Sequence, residues 1–498
     1  MRRTTTHQVN PRSADKMANS TPFCKSKDFD LIDQIETTTD TLTGRAGLAL
    51  FSRYLRNLGL FSVLERLFGS LRKSKKGLPI PVLFHQLFCF FLDGTDFSLV
   101  RFDDLKESEG YAGAIEIDPE SMASSHQIKR FFYGFSLGRI WLFRRLIQQL
   151  FLWRLRIRDP EVVVLGMDSM VLDNDGAKKR AGVEPTYKGV EGFHPFQITW
   201  DRFVADAVLR GGSKHSNDGD TATKAIRHLT RKIRKALGEA VPIIVRMDAG
   251  FCDQKIYRAC EELGIGYVSS GRLLGEIKDE AEKVPEASWA IYRDGPGGSG
   301  GPQEWAYHQR GDRRGTWSRF RRMIYTRLTC EKGHRTFDFA RKDTIIYTNL
   351  GLGGPIDRRL KKAGKESLLE AASLIELHHG RGQDELVYRA LKDFGTERMP
   401  FQDFFPNMAF YSTMLVAFNL YEAFKEDGFE TDEKEGTKAS IPLSSYARRL
   451  RREVIDIAGK LVRTAGRTIL KVTQATAHQL NIEGLFKRVA DPPRFAWT

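Results

Sequence analysis

Three acidic residues stand where chemistry could be done: Asp168 in VVVLGMDSM, Asp248 in PIIVRMDAG and Glu385 in HHGRGQDELVYRALK. The first two end runs of β-type apolar residues, and the third lies in a stretch with helical spacing. Carboxylates at strand ends, completed by one on a helix, can hold a pair of Mg²⁺ ions around a phosphodiester, with Mn²⁺ as a substitute. Each also has a plainer reading. A strand-end Asp is often the N-cap of the next helix, and Asp248 precedes AGFCDQKIYRA, so capping by Asp248 or by Asp253 stays open. Asp168 is not followed by a helical pattern. Asp173 and Asp175, in the turn-like MVLDNDG, are local competitors that rank below it.

On an α-helix each residue advances by about 100°. Relative to His378, Arg381 falls at about −60°, Glu385 at about −20° and Lys392 at about −40°, so one narrow helical face is expected to carry all four. A solvated stripe stabilised by an Arg381–Glu385 pair at i, i+4 accounts for the same spacing. The two upstream aspartates are what favour chemistry.

The elements that must position these groups can be read from periodicity. Residues 1–45 are rich in Thr, Ser and charge and read as a flexible tail. From 46 to 158 the pattern is helical, with Leu50, Tyr54, Leu58 and Phe61 on one stripe, a buried helix IPVLFHQLFCFFLDG ended by Gly94, and a Ser-capped helix carrying Lys129 and Arg130. Residues 159–270 alternate buried strands (EVVVLGMD, PIIVRMD, IGYVSS) with amphipathic helices, one with Ile226, Leu229, Ile233 and Leu237 on a single face. That order predicts an α/β domain with a mixed sheet. Residues 271–345 hold DGPGGSGGP and several Arg-rich strand-like runs, and read as a β-rich insertion. Helical spacing returns over 346–425, followed by an acidic linker at 426–440 and a basic helical region at 441–498 around Arg448, Arg449, Arg451 and Arg452.

Composition sets the class of partner. The 498 residues carry a net charge of +15, with 41% hydrophobic and 28% charged residues. That is an ordinary globular balance with a cationic surplus, and it favours a polyanion through counterion release. The five cysteines (Cys24, Cys89, Cys252, Cys260, Cys330) form no C-x-x-C pair, which excludes a readable zinc module or disulfide framework. The basic N-terminus lacks the apolar core of a signal peptide, and the apolar run from Ile80 to Leu92 is too short for a membrane span. A cytoplasmic location with no membrane partner is expected.

The spacing His378-(2)-Arg381-(3)-Glu385-(6)-Lys392 resembles the Y-(2)-R-(3)-E-(6)-K signature of DDE-type transposases of bacterial insertion sequences, with His in place of Tyr. GMDSM, YKGVEGFHPF, VRMDAGF, the W-x-x-x-RR of WSRFRRMIY and the Asn-bearing FFPNMAFYSTMLVAFNL agree with the same class, and the chain resembles the transposase DDE domain group 1 proteins over about residues 45–475. The resemblance implies an RNase H-like mixed-sheet catalytic core with a β-rich insertion, preceded by a helical DNA-binding domain. It implies a metal-binding catalytic triad of Asp168, Asp248 and Glu385, with Arg381, Lys392 and His378 as phosphate contacts. The activity implied is metal-dependent cleavage at the inverted repeats of a transposon and transfer of the 3′-OH strand into target DNA. The partners would be double-stranded DNA and a second copy of the chain in a synaptic homodimer, within a bacterial nucleoid.

Trp317, set among arginines, is a candidate to stack on an unpaired base while Arg321 and Arg322 hold the backbone. A sheet Trp covering the core is the alternative. Two rival functions are a catalytically silent, element-derived DNA-binding protein and an RNase H-like nuclease that cuts without joining.

Overall fold

The computed structural model describes residues 34–72, 76–294, 303–336, 342–429 and 441–497. A short strand, β1 (Thr41–Thr43), precedes a helical layer of α1 (Leu48–Asn57), α2 (Leu60–Phe68), α3 (Ile80–Asp93), α4 (Arg101–Glu107), α5 (Glu109–Ala114), α6 (Ser125–Tyr133) and the long α7 (Leu137–Arg158). Helix α3 is apolar nearly all round, and it is buried from Leu83 through Asp93. Ser124 caps α6 in a capping box with Gln127, which closes the first turn reciprocally.

The chain then builds its central sheet. Strand β2 (Val163–Ser169) leads into a small three-stranded flap of β3 (Leu172–Asp173), β4 (Glu184–Pro185) and β5 (Glu191–Phe193). The chain returns through β6 (Phe196–Trp200) and β7 (Phe203–Val208), crosses by α8 (Thr221–Leu237) to β8 (Ile243–Met247), and by α9 (Gln254–Leu263) to β9 (Gly266–Ser270). The spatial order β9-β8-β2-β6-β7 has β8 parallel to both β2 and β9, and β6 antiparallel to its neighbours. The expected mixed sheet is therefore present. Ile226, Leu229 and Ile233 of α8 are buried as the stripe required.

The stretch read as an insertion opens with α10 (Gly275–Glu282), then gives β10 (Ala290–Arg293), β11 (Gln303–Asp312), β12 (Arg321–Glu331), β13 (His334–Arg335) and β14 (Asp343–Thr348). Its strands do not form a sheet of their own. Strand β14 pairs antiparallel with β9, Tyr347 opposite Ser269, so the strands continue the central sheet to ten. The buried, β-branched DTIIYT run needs a partner for its backbone, and the open edge of β9 supplies one.

Helices α11 (Pro355–Lys362), α12 (Ala371–His379), α13 (Arg381–Phe394) and α14 (Phe404–Gly428) follow. Helix α14 is the buried spine between the helical layer and the sheet. From it Asn419 accepts a hydrogen bond from Val204 N and donates one to Val204 O, both 2.9 Å, so an amide satisfies the outer edge of β7. Residues 426–428, read as linker, belong to this helix, and 430–440 lie outside the described residues.

The terminal region read as helical is only partly so. A single turn α15 (Ala447–Leu450) leads to a hairpin of β15 (Gly459–Thr464) and β16 (Arg467–Lys471), then short helices α16 (Gln474–Gln479) and α17 (Ile482–Ala490). Strand β15 pairs with β1, so residues 41–43 of the expected tail are ordered; residues 1–33 lie outside the described residues. Arg451, one of the basic residues singled out in this region, is turned inward. It donates to the carbonyls of Phe91 and Leu92 at the end of α3 and of Asp393 and Phe394 at the end of α13. Cationic donors are favoured at helix C-termini, where carbonyls lack partners. Among the described residues no helix is long and apolar enough to cross a membrane. Cys89, Cys252, Cys260 and Cys330 are all unbridged, while Cys24 lies outside the described residues.

Candidate active site

Strands β2 and β8 run side by side with Met167 opposite Met247. The next residue on each is an aspartate, so Asp168 and Asp248 stand together where two parallel strands end, about 5 Å apart by strand spacing. Everything before them is core: Val163, Leu165, Met167, Ile243, Val245 and Met247 are buried. The capping alternative holds in part. Asp248 Oδ1 accepts from Gly250 N at 2.9 Å, closing the turn Ala249–Phe251, while Asp253 caps α9 through Lys255 N at 2.7 Å.

Glu385 joins the pair through a cation. Arg381 Nη1 lies 3.8 Å from Asp168 Oδ2, and its Nη2 lies 3.5 Å from Glu385 Oε1. Burial, then the neighbouring Asp248 charge, pushes the Asp168 carboxyl up to about 7; Glu385 adds to the rise, while the Ser169 amide and Arg381 oppose it. The site thus concentrates negative charge on oxygen donors alone, a set suited to a hard divalent cation such as Mg²⁺ or Mn²⁺. With Arg381 between Asp168 and Glu385, no three His, Cys, Asp or Glu side chains among the described residues are grouped closely enough to hold a metal ion.

Helix α13 reaches this point because of a residue the sequence reading passed over. Asp384, beside Glu385, is 3% exposed, and its Oδ1 accepts from Arg246 Nη2 on β8 at 2.7 Å. The carboxyl of Asp384 packs on Gly166 of β2: a Cβ there would lie 2.4 Å from its Cγ. Asp384, Val387, Tyr388, Leu391 and Phe394 form the buried face, and Glu385 sits one step round the helix at the rim. Two signals were available in the sequence. An Asp in an apolar i, i+3, i+4, i+7 stripe requires a buried partner, and a Gly inside a buried strand marks a close approach.

The four-residue face is broken. The helix divides at Gly380, so His378 lies in the last turn of α12 while Arg381, Glu385 and Lys392 belong to α13. His378 Nε2 shares a hydrogen bond with Ser270 Oγ at 2.8 Å, and burial, with His379, Arg381 and Arg246 nearby, pushes its pKa down to about 3. It is a neutral ring at physiological pH. Lys392 pairs with Glu397 at 2.7 Å. Asp173 and Asp175 lie beyond β2 in the flap, Asp175 beside Lys178 at 3.4 Å.

The Arg-rich segment does not present a stacking surface at Trp317. That indole is 6% exposed and packs edge-on against Tyr347 at 4.8 Å and Tyr257 at 5.7 Å. Arg321 is 1% exposed and bonds Glu261, and Arg322 is committed to Gln309 and the carbonyls of Leu350 and Leu369. The core alternative therefore describes Trp317. The two arginines tie strands and loops together and are not free for a DNA backbone.

The family model described as transposase DDE domain group 1 matches residues 32–493. Comparison with curated proteins finds no match. Among solved structures the chain is similar to the cryo-EM structure of a piggyBac transposase synaptic complex with hairpin DNA, at 11% identity and a TM-score of 0.36, covering 82% of this chain and 80% of that one.

Proposed function

This chain belongs to the transposase DDE domain group 1 family, and on that premise we propose that it cleaves DNA at transposon inverted repeats and joins the freed 3′-OH strand to target DNA. What supports this reading is the placement of Asp168 and Asp248 on adjacent parallel strand ends, with Arg381 lying between Asp168, at 3.8 Å, and Glu385, at 3.5 Å. The strand order β9-β8-β2-β6-β7, with one antiparallel member, agrees with an RNase H-like core.

In this proposal Asp168, Asp248 and Glu385 would hold two Mg²⁺ ions. Bound there, divalent cations supply activation of the attacking oxygen and neutralisation of charge developing on phosphorus. Asp168, whose carboxyl its surroundings push up to about 7, would have to be deprotonated to act as a ligand, so cation binding there would be linked to proton release. Arg381 turns from the two carboxylates toward the substrate phosphate, and Lys392 contacts the backbone further along α13. His378, uncharged, contributes only a hydrogen bond. Asp384 and Arg246 fix the height of α13 over the sheet, so they position Glu385 without touching substrate. The helical layer of residues 46–158, with Lys129 and Arg130 exposed on α6, is proposed as the part that grips the transposon end, within a homodimer that pairs two ends in the bacterial nucleoid.

The test is a metal-dependent nicking assay on DNA bearing the inverted repeats that flank the coding region. Asp168→Asn, Asp248→Asn and Glu385→Gln should each abolish nicking. A purified variant that still cuts removes that residue from the site. Transfer of a pre-cut, 3′-OH-ended strand separates a transposase from a nuclease that only cuts.

A further inference from the structure

The flap beside the carboxylates carries an aromatic residue that the reading above leaves without a role. Tyr187 is 69% exposed, at the tip of the turn joining β4 to β5. The turn is firmly built. Gly189 N donates to Thr186 O at 3.0 Å, Thr186 N and Oγ1 both donate to Val190 O, and Gly189 takes the left-handed conformation (φ +76°) that a side chain would resist. Beneath the tip, the Tyr187 ring rests on His194, with centroids 5.3 Å apart. His194 is itself 4% exposed, fixed through Nδ1 to Lys214 O at 2.7 Å and through its backbone to Arg210. Lys188 Nζ lies 5.8 Å from the same Tyr ring.

Topology joins this flap directly to the candidate site. Asp168 is paired with Gln197 and Ser169 with Phe196, so the chain that enters β6 from the flap does so beside Asp168. Met170 N bonds Pro195 O at 3.2 Å, which carries the β2–β6 ladder straight into the β3–β5 pairing. Partial burial of the hydroxyl, and after it the Asp168 and Asp248 charges, push the Tyr187 phenol up, which is consistent with the flap lying near both carboxylates.

We propose that Tyr187 is the stacking platform for an unpaired base beside the scissile phosphate, with Lys188 holding the adjoining backbone. The chemistry is that of single-strand recognition: a rigid exposed ring offers a π-face to any base, and a neighbouring cation takes the phosphate. The proposal rests on the transposase reading and adds a subsite to it. The base platform sought at Trp317 is thereby assigned to the opposite side of the sheet order, on the flap.

The probe is a forked DNA duplex with 2-aminopurine at its first unpaired position, compared with a fully paired duplex of the same sequence. Wild-type protein should prefer the fork and quench the probe. Tyr187→Ala should lose about tenfold in fork affinity, and the quenching with it, while Tyr187→Phe retains both. Fork binding unchanged in Tyr187→Ala overturns the proposal. So does Tyr187→Phe behaving like Tyr187→Ala, or an equal loss on both DNAs. A Tyr187→Ala protein altered only in self-association assigns the tip to a protein contact and equally overturns it. Wild type that binds neither DNA, or that nicks as well with Asp168→Asn, counts against the transposase reading itself.

Discussion

Gly166 and Asp384 occupy the same space: the missing side chain of one is filled by the carboxyl of the other, 2.4 Å from where a Cβ would stand. A glycine in the middle of a buried central strand is thereby explained, and the helix that carries Glu385 can approach the sheet at this height only because of it. Gly166→Ala should destabilise the fold by about 1–3 kcal/mol, measured by urea unfolding. Combined with Asp384→Ala the losses should be markedly less than additive, since the clash and the lost pair share one site. Strict additivity would show that the contact does not govern the strand.

The Arg246–Asp384 pair is largely withdrawn from water, with side chains 14% and 5% exposed. Arg246→Met leaves a desolvated carboxyl without its cation and should cost about 3–5 kcal/mol. Arg246→Met with Asp384→Leu should recover much of that stability while nicking stays impaired, because α13 would no longer be registered against β8. Full activity in the stable double variant would remove the positioning role.

Asp168 gives a pH signature with a definite sign. Its carboxyl titrates at about 7 in the fold, against an ordinary value of 3.8. Below the ordinary value both states are protonated and the group is neutral in effect. Between the two values the unfolded chain releases the proton that the fold retains, so stability falls as pH rises and levels off above 7. Asp168→Asn should therefore match wild type in Tm near pH 4 and exceed it at pH 8, by a margin on the order of a few kcal/mol in unfolding free energy. Mg²⁺ at pH 8 should raise the Tm of wild type and leave Asp168→Asn nearly unmoved. A Tm difference that is flat with pH would contradict the origin given for the shift.

Trp317→Ala should behave as a core truncation. The indole lies among Tyr257, Tyr347, Arg314 and Arg321, and its removal should cost about 3–5 kcal/mol. At temperatures where the variant is folded, binding of forked DNA should equal that of wild type. A selective loss on the fork would restore the stacking role to Trp317.

Much of this was legible before any coordinates. Val163–Met167 and Ile243–Met247 read as buried strands because short, mostly apolar runs that end in a polar residue have few other uses, and both aspartates are where those runs stop. The Glu385 helix was legible from spacing, though its break at Gly380 was not: the αR geometry at that residue (φ −58°, ψ −10°) departs little from a helix, and no Pro announces it. The terminal hairpin at 459–471 was misread as helix because KLVRTAGRTILK offers both periodicities. Its strand form is favoured by pairing with Thr41–Thr43, more than 400 positions away in the chain.

What the sequence determined by itself was the inventory: which carboxylates end strands, which helix carries the third, and a cationic surplus suited to nucleic acid. Those follow from local periodicity and composition, which each segment expresses without reference to the others. The tertiary structure decided which groups meet. The register of β2 against β8 sets Asp168 beside Asp248. The Gly166 gap and the Arg246–Asp384 pair bring in Glu385, and burial turns Trp317, Arg321 and Arg451 inward while leaving Tyr187 out. Long-range pairing and desolvation are properties of neighbours in space, so no window of sequence contains them.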